Sequence, residues 1–292
     1  MTFVDFMIVG AAKCGTTTIA EILTHHPEVS FCKIKEPHFF SKTLAWRENL
    51  ESYRALYDFD QGCIRGEAST TYTCYPEFNK NIPDEIYEFN PNLKIIYLMR
   101  DPIPRIRSQY AHNLLRGYAA ATADAEILSN PSYINRTRYY TQIKPYIEKF
   151  GRRRILLLTL ESFVADKTAV MRQIADFLEI SNDRFQDIEV VKNKSVGEVK
   201  IDHRFENFMN NNPGLHILRR YIPKSLKSKL TPLFSKQIFA VPEISNELER
   251  IIVNLLSLEI NAIEQVMQRE IVEWSFPKTL AITNNLAITN NL

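Results

Sequence analysis

The sequence predicts an α/β protein: a mostly parallel sheet flanked by helices, followed by a helical C-terminal region. Three observations carry this expectation. The runs Phe3 to Val9, Lys94 to Met99 (KIIYLM) and Arg154 to Leu160 (RILLLTL) are almost continuously apolar. Strands buried on both faces of a parallel sheet read this way, without the alternation of a half-exposed strand. Each run is followed by apolar residues at helical spacing, and such alternation of strand and helix implies a parallel sheet with crossover connections.

Taken in order, Phe3 to Val9 is the first strand. MTFVDFMIVG lacks a basic stretch and a cleavage site, so it reads as a strand and not as a signal peptide. A loop follows, then a helix from Thr16 to Thr24 whose apolar face is Ile19, Ala20, Ile22 and Leu23, ended by Pro27. The strand at Lys94 leads into a helix at about Pro104 to Leu115. The strand at Arg154 leads into one at Asp166 to Leu178, with Val170, Ile174, Phe177 and Leu178 on one stripe and Asp166 as N-cap. In such a sheet the ligand belongs at the carboxyl ends of the strands.

Composition narrows the function. The chain has 292 residues, 45% hydrophobic and 11% aromatic, which fits one large domain or two small ones with a sizeable core. Lys+Arg of 36 against Asp+Glu of 34 gives a net charge of +2, so a general nucleic-acid binder is not expected and any anion site must be local. Cys14, Cys32, Cys63 and Cys74 form no CxxC pair, which argues against a disulfide framework or a zinc site. No stretch of about 18 apolar residues suggests a membrane span. The expected setting is cytoplasmic.

The loop Gly10-Ala-Ala-Lys-Cys-Gly-Thr-Thr-Thr18 lies where small residues and the N–H groups of a helix start cradle an oxyanion. Gly10 and Gly15 have Walker A spacing, yet Thr16 stands where that motif has lysine, and the lysine is Lys13, inside the loop. The next strand ends in Met99-Arg100-Asp101, a cation where a nucleoside triphosphatase needs a metal-holding carboxylate. The pattern points to phosphates held by cations and hydroxyls without a metal.

Lys35-Glu36-Pro37-His38-Phe39-Phe40 follows the loop, and Arg100-Asp101-Pro102-Ile103-Pro104-Arg105-Ile106-Arg107-Ser108-Gln109-Tyr110 runs from a strand end into a helix. With these three segments in order, the chain resembles sulfotransferases dependent on 3′-phosphoadenosine 5′-phosphosulfate (PAPS), nearest to the heparan-sulfate type and its bacterial relatives. The resemblance spans about residues 5 to 275. It implies a fold related to P-loop kinases, PAPS as co-substrate, no metal, and an acceptor that is a glycan or small hydroxyl compound.

By the same resemblance, Lys13, Gly15, Thr16 and Thr17 bind the 5′-phosphosulfate with Thr18 nearby, and Arg100 and Ser108 hold the 3′-phosphate. Arginine suits a phosphate because its planar fork makes two charge-assisted bonds. Glu36 resembles the catalytic base and His38 a second polar group of the acceptor site; in an extended segment the two share a face. Phe39 and Phe40 read as core. Lys194, Ser195 and Gly197 resemble the late loop over PAPS. Gly66-Glu67-Ala68-Ser69-Thr70-Thr71 matches a strand-end segment whose relatives have a lysine at the position of Ala68; Glu67 either orients the acceptor or caps a turn.

The remaining segments are less specific. Arg219 to Lys236 is a cationic stretch that either meets an anionic acceptor or membrane surface or is a solvated face. His25-His26 reads as a helix end. A long helix is expected from about Pro242 to Glu270, ending near Trp274. The expected organisation is a sulfotransferase-like domain over 1–276 and a disordered repeat tail over 277–292, with LAITNNLAITNNL at the end. The competing readings are a nucleotide or small-molecule kinase with a degenerate loop and a non-catalytic nucleotide-binding module.

Overall fold

The computed structural model describes residues 2–60, 62–79, 81–119, 122–185 and 241–277, and the backbone of 200–201 and 235–236. Five parallel strands form the central sheet: β1 (Phe6–Gly10), β2 (Val29–Phe31), β3 (Ile64–Ala68), β4 (Lys94–Met99) and β5 (Ile155–Thr159), in the order β2-β3-β1-β4-β5. β1 and the Ile95–Met99 stretch of β4 are fully buried, as their unbroken apolar sequences require.

The helices that matter for the site are α1 (Thr16–Thr24), α2 (Phe39–Lys42), α3 (Leu50–Arg54), α4 (Ile82–Phe89) and α5 (Pro102–Leu115). They are followed by α6 (Ala123–Ser129), α7 (Ser132–Asn135), α8 (Tyr139–Phe150), α9 (Leu160–Ala165), α10 (Lys167–Leu178) and α11 (Asn246–Met267). α5 begins two residues before the expected Pro104, because Asp101 caps it by accepting from the Ile103 N–H and proline suits the first turn. Asp166 caps α10 as the sequence predicts, accepting from the Ala169 N–H at 2.9 Å. α11 ends at Met267, so Trp274 lies beyond the helix. It docks there through a 2.8 Å hydrogen bond from its indole N–H to Glu161.

From β1 the chain first builds one side of the sheet, β2 and β3, and then the other, β4 and β5. The order reverses at the β1/β4 boundary, the kind of switch point beside which ligands of open α/β sheets bind. The Gly10–Thr18 loop leaves β1 there and Arg100 leaves β4 there. All four cysteines are free thiols. His26 is buried with Nε2 2.9 Å from the Ser181 carbonyl and Nδ1 accepting from the Glu28 N–H, a structural role at a helix end. Lys192 to Gly197, most of the Arg219 to Lys236 stretch and the repeat tail lie outside the described residues. Among the described residues no helix is long and apolar enough to cross a membrane.

Candidate active site

The loop is built around two glycines at which any side chain would be crowded or strained. Gly10 packs so closely that a Cβ would sit 2.0 Å from Thr73 Oγ1. Gly15 has φ 88°, and a Cβ there would meet Leu160 Cδ1 at 2.7 Å. Between them Lys13 also lies in the left-handed region, at φ 71°. α1 starts directly after Gly15 with no side-chain cap and no acidic residue in its first turn. Such a helix start presents its positive dipole end to an anion.

Of the five described non-glycine residues with positive φ, Glu179 and Gln268 close helices; the other three are Lys13, Glu36 and His38. Left-handed backbone costs free energy for such residues, and it concentrates where geometry serves function. The KEPHFF segment is not extended at Glu36 and His38, so the condition for a shared strand face is not met. Glu36 (φ 52°) and His38 (φ 55°) meet through two left-handed turns, not through strand alternation, with His38 Nε2 3.4 Å from Glu36 Oε2. His38 Nδ1 is 2.8 Å from Thr71 Oγ1, which in turn is 2.6 Å from Ser41 Oγ. Burial, and secondarily the charge of Lys42, lowers the His38 pKa, so the ring is neutral at neutral pH. Phe39 and Phe40 are core, and Phe39 stacks on Tyr53 at 4.1 Å.

Glu67 has no exposed surface, and its carboxylate bonds side-chain hydroxyls. It is fully buried at the end of β3 and accepts from Tyr53 (2.6 Å) and Tyr72 (2.9 Å) on Oε1 and from Ser69 (2.9 Å) on Oε2. Ser69 Oγ accepts the His38 backbone N–H at 3.0 Å. The buried carboxylate thus fixes the strained His38 backbone through one hydroxyl. Burial pushes its pKa up to about 7 against the three donated hydrogen bonds, and the nearby Glu36 charge pushes the same way.

One 3-10 turn, Thr70–Thr73, joins this segment to the loop. Thr70 Oγ1 donates to Glu36 Oε2 at 3.4 Å, and Thr73 Oγ1 donates to the Val9 carbonyl at 2.7 Å where β1 runs into Gly10. Thr70 and Thr71 close the strand-end segment that the sequence matches, but the sequence assigns their hydroxyls no role; Thr70 and Thr73 acquire one only through β1–β3 pairing.

At the end of β4, Asp101 spends its carboxylate on backbone N–H groups, of Ile103 at 3.2 Å and of Ser275 at 2.8 Å. Glu161 accepts from the Asp101 N–H at 3.1 Å and from Trp274, which pins the strand end. Ser108 is buried on α5, and Arg105, one helical turn before it, is fully buried and donates from Nε to the Ala12 carbonyl of the loop at 3.1 Å. Its spacing to Ser108 was the available signal for Arg105. Tyr139 had none: it arrives from α8 to donate to the Arg100 carbonyl at 2.7 Å. Among the described residues no group of three His, Cys, Asp or Glu could hold a metal.

A family model for the sulfotransferase domain matches residues 4–238. The chain belongs to the sulfotransferase domain family. Human carbohydrate sulfotransferase 15 is 25% identical over 243 residues, covering 60% of this chain and 43% of that protein. Mouse heparan sulfate glucosamine 3-O-sulfotransferase 3B1 is 25% identical over 181 residues, covering 59% and 45%. The chain thus spans less than half the length of these relatives. Among solved structures, a sulfotransferase from Alicyclobacillus acidocaldarius aligns at TM-score 0.65 and 22% identity, covering 94% of this chain and 99% of that one; the two share the sulfotransferase fold.

Proposed function

We propose that the chain transfers a sulfuryl group from PAPS to a hydroxyl or amine of a carbohydrate or glycoconjugate. The observation that carries this reading is the Thr70–Thr73 turn, which touches Glu36 with its first hydroxyl and the root of the Gly10–Thr18 loop with its last. A carboxylate and an anion-binding loop held by one turn suit a reaction in which a proton is taken beside a transferring anionic group. The carbohydrate acceptor is supported by the names of the relatives, which span the chain only in part.

In this reading Lys13, Gly15, Thr16 and Thr17, with Thr18 nearby, hold the 5′-phosphosulfate, and Arg100 and Ser108 hold the 3′-phosphate. Lys194, Ser195 and Gly197, which lie outside the described residues, are further donor-binding residues in this reading. The acceptor oxygen or nitrogen attacks sulfur in line, Glu36 takes its proton, and the bond from sulfur to the 5′-phosphate oxygen breaks. Adenosine 3′,5′-bisphosphate leaves. Lys13 and the α1 amides offset the charge growing on the leaving oxygen. Neutral His38 orients the acceptor. Ala68, in place of the lysine of related glycan enzymes, bears on which acceptor fits and leaves the reaction intact.

Calorimetry in excess EDTA tests the donor assignment. Adenosine 3′,5′-bisphosphate binds and AMP binds far more weakly if Arg100 and Ser108 read the 3′-phosphate; equal affinity overturns it.

A further inference from the structure

Among the described residues Arg105 is the largest side chain with no exposed surface. Its partners are all neutral oxygens: Ala12 O at 3.1 Å from Nε, and Tyr133 O at 3.1 Å and Thr137 Oγ1 at 3.2 Å from Nη1. Nη2 is buried with no hydrogen-bond partner. A buried guanidinium without a carboxylate is costly, because desolvation is not offset by an opposite charge. The planar fork locates the unmet donor: Nε–H and an Nη2–H leave the same edge of a guanidinium. Since Nε faces the Ala12 carbonyl, Nη2 faces the Gly10–Thr18 loop as well.

We infer that Arg105 is the buried counter-charge of the donor's 5′ anionic end, a positioning residue that holds the loop by Ala12 and leaves its remaining charge to be balanced when that end binds. The inference rests on the donor reading above and adds a residue to it. Two features of the molecule favour it over a purely structural clamp. The uncompensated charge lies directly beneath a loop whose helix start is likewise left without an acidic or capping group. Arg105 also sits one helical turn from Ser108 on α5, so one helix would address both phosphate groups of one nucleotide.

The test compares two ligands that differ at the 5′ end alone. Adenosine 3′,5′-bisphosphate and adenosine 3′-monophosphate are titrated into the unaltered protein, Arg105→Gln and Arg105→Lys, with the melting temperature of each free protein recorded alongside. Arg105→Gln is expected to lose at least about tenfold in bisphosphate affinity, the scale of one hydrogen bond to a charged group. Its affinity for the 3′-monophosphate should change much less. Arg105→Lys keeps the charge without the fork and retains most of the preference for the 5′-phosphate. A loss shared equally by both ligands, as a structural role produces, overturns the inference, and so does a lysine variant with no preference left. Where the glutamine variant fails to fold, the lysine variant decides by the same ratio. If the unaltered protein does not bind the bisphosphate, the donor reading falls and takes this one with it. Binding with an unchanged ratio in Arg105→Gln removes this one alone.

Discussion

The Tyr139 hydroxyl donates to the Arg100 carbonyl at 2.7 Å and lies 3.8 Å from Cys14 Sγ, so one buried phenol ties the end of β4 to the loop after β1. Cys14 serves as packing here. Burial pushes its thiol up to about 11, against the lowering charge of Arg105, and it stays protonated. The relationship ties the placement of the proposed 3′-phosphate ligand to that of the 5′ loop.

Tyr139→Phe keeps the ring and leaves the Arg100 carbonyl without its donor. A cost of about 1–3 kcal/mol in stability is expected from the unmet buried carbonyl. Bisphosphate affinity should fall with it, because Arg100 is no longer anchored. Denaturant unfolding and calorimetry on the same preparation measure both; an unchanged affinity would show that β4 holds Arg100 without help.

Arg100→Ala should weaken adenosine 3′,5′-bisphosphate by about 1.5–3 kcal/mol, the range for hydrogen bonds to a charged group. AMP, without the 3′-phosphate, should be nearly unaffected. Equal losses for the two ligands would place Arg100 away from the 3′-phosphate.

Glu67 makes a pH prediction. Its folded pKa of about 7 lies above the ordinary 4.5, chiefly through burial, so the folded state holds a proton that the unfolded state has released between those values. The stability this contributes is fully present below about pH 4.5 and is lost as pH rises through 7, on the order of 3 kcal/mol in all. Glu67→Gln cannot titrate. The variant's melting temperature relative to the unaltered protein should therefore rise between pH 4.5 and 7.5, and a fall over that range would contradict the assignment.

Much of the frame was legible because it is apolar. β1 and β4 announce themselves as unbroken hydrophobic runs, and α1 and α10 as stripes. β3 does not: its sequence IRGEA carries two charged residues and a glycine, and Glu67 is tolerated in the core only because three hydroxyls donate to it. β2, at the edge of the sheet, is three residues long, too short for any periodicity. The site was legible as motifs but not as shape. KEPHFF named Glu36 and His38, while their left-handed backbone depends on Ser69 and Glu67, supplied by a strand about thirty residues away. Tyr139 was out of reach for the same reason, since its meaning lies in a contact between α8 and β4.

The most direct measurement is transfer of label from sulfur-labelled PAPS by the unaltered protein and by Glu36→Gln, with a panel of desulfated glycans as acceptors and bisphosphate affinity measured in parallel. The glutamine keeps the shape of the side chain and removes the proton acceptor. The account predicts label on a glycan hydroxyl or amine with the unaltered protein, and a rate lower by roughly 10²–10⁴-fold in the variant, the share that general-base catalysis supplies. Bisphosphate binding should be unchanged. Turnover within about threefold of the unaltered protein would remove Glu36 from the chemistry. A collapse of bisphosphate affinity in the variant would make Glu36 a support of the loop, and either result contradicts the account.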